Sequence, residues 1–276
     1  MTRVLGLGSV LGVLVLGLTL TSVFAGASRE ATLASGRERF LRANDRLIAE
    51  ARRRLLQPEY GLRGMRSAVL SNPSLRRADF IRSAESRELQ REFPGMRGLG
   101  IIECTAREGL PAFLERQRDD GEPQFEVRTS GDAAQLCIIT SVVPRVGNEA
   151  AWGFDVFSEP RRRAALERAV ATGEATLTAP IQLVQLAEQR PGMLFMLPVY
   201  APDAHPTTAA ERQASLRAIV YAPIVAHDLF EGMLAAADGQ VDVDVYDGSE
   251  PLAASSLYDP GGHLRGLVEL GGLFRE

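Results

Sequence analysis

Residues Val4 to Ala27 carry no charge and are mostly apolar, VLGLGSVLGVLVLGLTLTSVFAGA. A helix needs roughly 20 apolar residues to cross the hydrocarbon core of a bilayer, and this run is long enough. It therefore reads as a transmembrane anchor or an export signal over residues 1–27. A secretory apolar region is only about 7–15 residues long, which favours an uncleaved anchor. Ala25-Gly26-Ala27 has the small residues of a cleavage site, so the signal-peptide reading stays open. The flanks do not fix the orientation. Arg3 precedes the run, while Arg29, Arg37, Arg39 and Arg42 follow it. Read literally, positive-inside bias would keep the rest of the chain in the cytoplasm, but long domains translocate largely regardless of that bias.

Beyond this run the charge divides the chain. Residues 28–97 hold 16 Arg against 9 acidic residues, a net of +7, whereas residues 98–276 hold 14 Arg against 26, a net of −12. Such asymmetry implies two pieces with different surroundings. The arginines of the basic piece alternate with Glu and Asp at helical spacing, as on a solvated helix face near acidic lipid headgroups. No nucleic-acid partner is expected from this pattern. Hydrophobic residues make up 45% of the chain, enough for a buried core in the acidic piece.

Residues 28–92 read as a helical stalk. Phe40 and Leu47 lie seven apart, as do Leu41, Ile48 and Leu55, a repeat suited to packing on another helix, either a second protomer or the rest of the chain. Pro58 is expected to end this first helix, with further helix over 62–92 broken at Asn72-Pro73. After Phe93-Pro94-Gly95 the period shortens. Strands are expected at Leu99–Cys104, Phe125–Arg128, Leu136–Val143, Trp152–Val156, Ala175–Leu183 and Met193–Tyr200. Helices are expected at Pro111–Arg118 and between Ser158, as N-cap, and the stop at Gly173. Ala201–Gln213 reads as a linker or lid. A second, smaller unit then starts at 214, with a strand at Leu216–Pro223, a helix at Ala226–Ala237 and strands at Val241–Val245, Leu252–Tyr258 and Leu264–Leu273. Asp242 and Asp244 are expected on a wet strand face.

The chemistry is sparse. His205, His227 and His263 lie in separate segments without metal spacing, and no nucleophile–base or phosphate-loop signature occurs, so neither an enzyme nor a cofactor is expected. Gly98-Leu99-Gly100 reads as a closely packed strand. Cys104 and Cys137 are either a disulfide, given neighbouring strands, or two buried thiols. Asp155 follows Trp152, Gly153 and Phe154, and a carboxylate there needs hydrogen-bond donors. A ligand with N–H groups would supply them. So would a nearby turn, or Arg161 or Arg162.

Phe93-Pro94-Gly95, Pro144 with Asn148, Gly153-Phe154-Asp155, Pro160-Arg161-Arg162, Thr172-Gly173, Leu177-Thr178-Ala179-Pro180 and Pro198-Val199-Tyr200 together resemble the CHASE domain, the extracellular sensor module of many histidine kinases and cyclases. Ile138 stands where that pattern usually has a proline. The resemblance implies an α+β fold, with a long N-terminal stalk helix followed by two PAS-like α/β subdomains. The membrane-distal subdomain, 93–213, would bind ligand, and the membrane-proximal one, 214–276, reads as incomplete. In plant cytokinin receptors the position matching Asp155 hydrogen-bonds the adenine of the ligand, and the position matching Thr178 lies in the same pocket. The resemblance thus implies Asp155 and Thr178 as ligand-binding residues, an adenine-like small molecule as partner, and a periplasmic or extracellular sensor; with the apolar run and the repeat of seven, the expectation is one N-terminal span at the inner membrane and a homodimer through the stalk. With no second apolar span after Leu273, a receptor's output domain is expected to lie outside this chain.

Overall fold

The computed structural model describes residues 2–71, 76–185, 190–237, 241–248 and 256–259. Its first element, α1 (Thr2–Ser71), is one helix of 70 residues, about 105 Å long at 1.5 Å per residue. Val13 to Phe24 leave their apolar side chains well exposed, and among the described residues this is the one helix long and apolar enough to cross a membrane. From Ala43 onward the same helix enters the core. Ala43, Leu47, Ala51, Leu55, Leu62, Met65 and Val69 are buried, one face of a helix at spacings of three, four and seven.

Pro58 does not end α1, contrary to the sequence expectation; the helix runs through it. A proline in a helix interior costs about 3 kcal/mol. Burying Leu55, Leu62 and Met65 around it contributes about 1.5–3 kcal/mol each, so tertiary packing outweighs the break. The Arg54 guanidinium also donates to the carbonyls of Leu229 and Glu231, tying this stretch to the far end of the chain. Asn72-Pro73 lies outside the described residues.

Two short helices come next, α2 (Arg77–Glu85) and α3 (Leu89–Glu92), then β1 (Leu99–Ala106), α4 (Leu110–Asp119), β2 (Gln135–Val143), α5 (Pro160–Thr172), β3 (Thr176–Leu177), β4 (Ile181–Gln182), β5 (Pro191–Tyr200), α6 (Ala209–Ser215) and β6 (Leu216–Val225). The strands form an antiparallel sheet in the order β2-β1-β6-β5-β3, with β4 also on β5. The fold is α+β: a long N-terminal helix and then helices around an antiparallel sheet.

The strand read as opening the second unit, Leu216–Pro223, is β6, and it lies in the middle of the large sheet between β1 and β5. The linker expectation at 201–213 suggested a change of unit. Instead the chain turns back through α6, whose Thr208 and Glu211 form a capping box, and rejoins the same sheet. Past β6 the described elements are small: α7 (Ala226–Phe230), a 3₁₀ turn at Met233–Ala237, and β7 (Val245–Tyr246) paired with β8 (Ser256–Tyr258). Asp244 is buried rather than on a wet face. The Leu264–Leu273 strand lies outside the described residues.

Strand alternation gives the large sheet two buried faces. Leu99, Ile101, Phe195, Leu197, Val220 and Ala222 face α1 and α2. Ile102, Cys137, Ile139, Leu194, Met196, Ile219 and Tyr221 face α5. Gly100 is directly opposite Tyr221, and a Cβ there would fall 2.3 Å from the tyrosine ring, so glycine is what lets the ring lie across β1. Cys104 and Cys137, paired across β1 and β2 with Cα atoms 4.0 Å apart, are bonded as a disulfide, which settles the alternatives left open by the sequence.

Candidate functional site

The Gly153-Phe154-Asp155 stretch is a seam rather than a strand. Gly153 N–H donates to Ile139 O, Ile139 N–H to Phe154 O, Arg128 N–H to Gly153 O, and Asp155 N–H to Arg128 O. Isolated bridges join Arg128 to Phe154 and Ile138 to Asp155, so the expected strands at 125–128 and 152–156 shrink to single ladder rungs, one between the two segments and one against β2. The cause is Gly153, held at φ +76°, where a Cβ would fall 2.1 Å from Glu126 O. Only glycine takes that turn without displacing the neighbouring backbone.

The seam buries Asp155, which is 1% exposed. One carboxylate oxygen, Oδ1, accepts from Cys137 N–H and Phe157 N–H, each at 3.0 Å. The other, Oδ2, accepts from Thr129 Oγ1 at 2.7 Å. The carboxylate caps the 3₁₀ turn Val156–Ser158 and ties it to β2. A carboxylate has about four lone-pair sites, so three chain donors leave one on Oδ2, the oxygen facing the partly exposed side. Neither Arg161 nor Arg162 is among these partners. Arg161 donates to Pro180 O and Arg162 to Gln182 O, clamping the start of α5 against β4.

Thr178 is likewise buried, 3% exposed, just past β3. Its N–H donates to Leu194 O, and its hydroxyl accepts from Leu194 N–H at 3.0 Å, standing in for a strand carbonyl. No hydrogen bond joins Thr178 to Asp155 among the described residues. What they share is a cluster: Cys137, Phe157 and Leu194, the residues they hold, all belong to the apolar layer between the sheet and α5.

The N-cap of α5 is Glu159, not Ser158; its carboxylate accepts from Arg161 N–H and Arg162 N–H. A carboxylate one residue nearer the helix gains from both capping and the helix dipole. Gly173, at φ +82°, closes α5 as expected.

Two polar groups are buried in this layer in roles the sequence reading did not assign them. Arg162 is 3% exposed, with its guanidinium 4.7 Å over the Phe154 ring. Burial pushes its pKa down, and Glu159 opposes that shift. Tyr221 is fully buried; burial pushes its pKa up, with Arg162 opposing. Arg162 could have been found from the sequence, since it precedes Leu166, Ala169 and Val170 at spacings of four, seven and eight and so falls on the apolar stripe of α5. Tyr221 carried no such signal.

A second buried arginine, Arg77, joins α2 to the sheet. It pairs with Glu122 at 3.3 Å and donates to Gln117, whose amide donates to Glu103 on β1. Burial lowers its pKa and Glu122 opposes this. The network fastens the helical half to the sheet on the edge away from β5.

Compared with protein-family models, residues 73–258 match the model described as the CHASE domain. No curated protein matches the chain.

Proposed function

The chain belongs to the CHASE family, and on that premise we propose that it is an extracytoplasmic small-molecule sensor, held at the inner membrane by its N-terminal span and paired with a second copy through the stalk. CHASE domains are extracellular sensor modules of receptors, not catalysts. The observation that carries the reading is the continuity of α1, whose exposed apolar run and sheet-packed face belong to one helix. A bound molecule that favours one arrangement of the sheet over another would bias that helix, as a sensor requires.

In this reading the ligand occupies the apolar layer between the sheet and α5, as in most small-molecule sites, with Asp155 and Thr178 at its border. An adenine-like N–H donor would take the remaining lone pair of Asp155 Oδ2, and the Thr178 hydroxyl would donate its proton. Homodimerisation is supported by the upper stalk. Leu47 and Leu55 of the heptad seam are buried on the sheet, but Leu33, Phe40 and Leu41 are 63%, 56% and 47% exposed.

The test is a thermal-shift screen of the purified full chain in detergent, using adenine derivatives, beside Asp155→Asn. The asparagine keeps an acceptor for both buried N–H groups, so it alters recognition at a smaller cost to the scaffold than alanine would. A shift lost in the variant supports the reading; an equal shift in both removes Asp155 from the site. That three of the four acceptor sites of Asp155 are already taken by chain donors favours a second reading, a structural or protein-interaction module with a degenerate pocket. A folded dimer that no compound stabilises would decide for it.

A further inference from the structure

The layer between the sheet and α5 holds a hydrogen-bond donor that the chain leaves unused. The Tyr221 hydroxyl is fully buried and has no hydrogen-bond partner among the described residues, and the Arg162 Nε–H is in the same position. A buried hydroxyl without a partner is costly, so such a group in a folded protein calls for an explanation, and a bound acceptor is one. The surroundings narrow what that occupant is. Arg162 has Glu159 as counter-charge at 3.8 Å, but both oxygens of Glu159 are already capping α5. The cation is therefore desolvated and incompletely neutralised. The Phe154 ring lies under the guanidinium, and the other side chains of the layer, Leu194, Met196, Ile139 and Ile219 among them, offer apolar surface and no acceptor.

We propose that the ligand of this layer is an anion with an apolar body, typically a small carboxylate, whose oxygens accept from the Tyr221 hydroxyl and the Arg162 guanidinium. The inference rests on the sensor reading and adds to it the charge of the ligand. The arginine offers donors only and the phenol has a proton to give, so together they favour an acceptor-rich, negatively charged end. Tyrosine at this depth stays protonated at neutral pH and so remains a donor. Gly100 is part of the design, because the ring reaches this place only across a residue without a side chain.

The experiment uses the purified full chain in detergent and matched pairs of probes: phenylacetate and phenylacetamide, octanoate and octanamide, with adenine as the comparison arm. At about 100 times its dissociation constant an acid should raise the melting point by roughly 5–10 °C, while its amide should not. Tyr221→Phe removes only the orphan hydroxyl. It should leave the unliganded melting point unchanged or raise it, and abolish most of the acid-induced shift. Arg162→Gln should do the same to the shift, although its loss of the Gln182 contact makes the tyrosine variant the primary test. Amides matching their acids, or acid shifts undiminished in Tyr221→Phe, would overturn the assignment. A shift with adenine and with no acid would overturn the anionic class while leaving the sensor reading standing. No shift with any probe would overturn both.

Discussion

Replacing Asp155 by alanine should cost the protein much of its stability. Three bonds are lost, and the buried N–H groups of Cys137 and Phe157 are left without acceptors. Each orphaned donor costs about 1–3 kcal/mol; the Thr129 hydroxyl sits on an exposed residue and can turn to water, so it adds little. The expected loss is about 2–6 kcal/mol, a large part of the roughly 5–15 kcal/mol that holds a typical domain together. For a domain of this size that lowers the melting point by roughly 4–24 °C. Asp155→Asn retains a neutral acceptor for both N–H groups and should cost about 1–2 kcal/mol, because neutral bonds are about half as strong as charge-assisted ones. Trp152, the only tryptophan, sits 5.1 Å edge-on to Phe125 beside this seam, and its fluorescence reports the transition. An alanine variant melting within about 2 °C of wild type would refute the scaffold role and with it the geometry of the seam.

Breaking the Cys104–Cys137 bridge, by reductant or by a double alanine substitution, should cost up to about 3.7 kcal/mol, the loop-closure value for a sequence separation of 33. A reduced protein with an unchanged melting point would contradict this. Gly153→Ala should unfold the seam or fail to accumulate, since its Cβ would fall 2.1 Å from Glu126 O at positive φ; normal yield and a normal Trp152 spectrum would refute it. Glu211 is held down to about 2 by the N–H groups of Thr207 and Thr208 and the Thr207 hydroxyl. Its lowered value means that the stability it lends α6 is full above about 4.5 and is lost as pH falls through about 2. Glu211→Ala should therefore speed amide exchange at Thr207 and Thr208 at neutral pH but match wild type below pH 2, and a difference that persists in acid would refute the cause. Phe40→Glu should shift the full chain toward monomer in sedimentation, as expected if the exposed upper seam joins two copies; an unchanged dimer would place the contact elsewhere.

The pattern-bearing parts of the fold were legible. The apolar run, β1, β2, β5, α4 and α5 each announce themselves by length, alternation or caps, and the Pro160 and Gly173 signals bracket α5. Two features were not, because they depend on distant partners. Pro58 carries a strong local signal against helix, and only the burial of Leu55, Leu62 and Met65 against the sheet overrides it. Likewise β6 comes after a polar, proline-containing segment that imitates a boundary, and its place beside β1 is set by pairing across more than a hundred residues. At the site, the sequence exposed the demand of Asp155 for donors but not their source. Phe157 N–H lies two residues away, whereas Thr129 and Cys137 are brought in by the seam.

The undivided length of α1 has a mechanical consequence. The first packed residue, Ala43, stands 28 residues beyond Val15 in the middle of the apolar run, about 42 Å along a straight helix. With Ala43 as fulcrum, a tilt of about 5° swings the Val15 end by about 4 Å, and a shift of either end is felt at the other with no hinge between to absorb it. A bilayer too thin for a long apolar helix is accommodated by tilting it. With the apolar run in a bilayer, membrane thickness would load the same lever that a bound molecule would move, and lipid composition would set its resting angle.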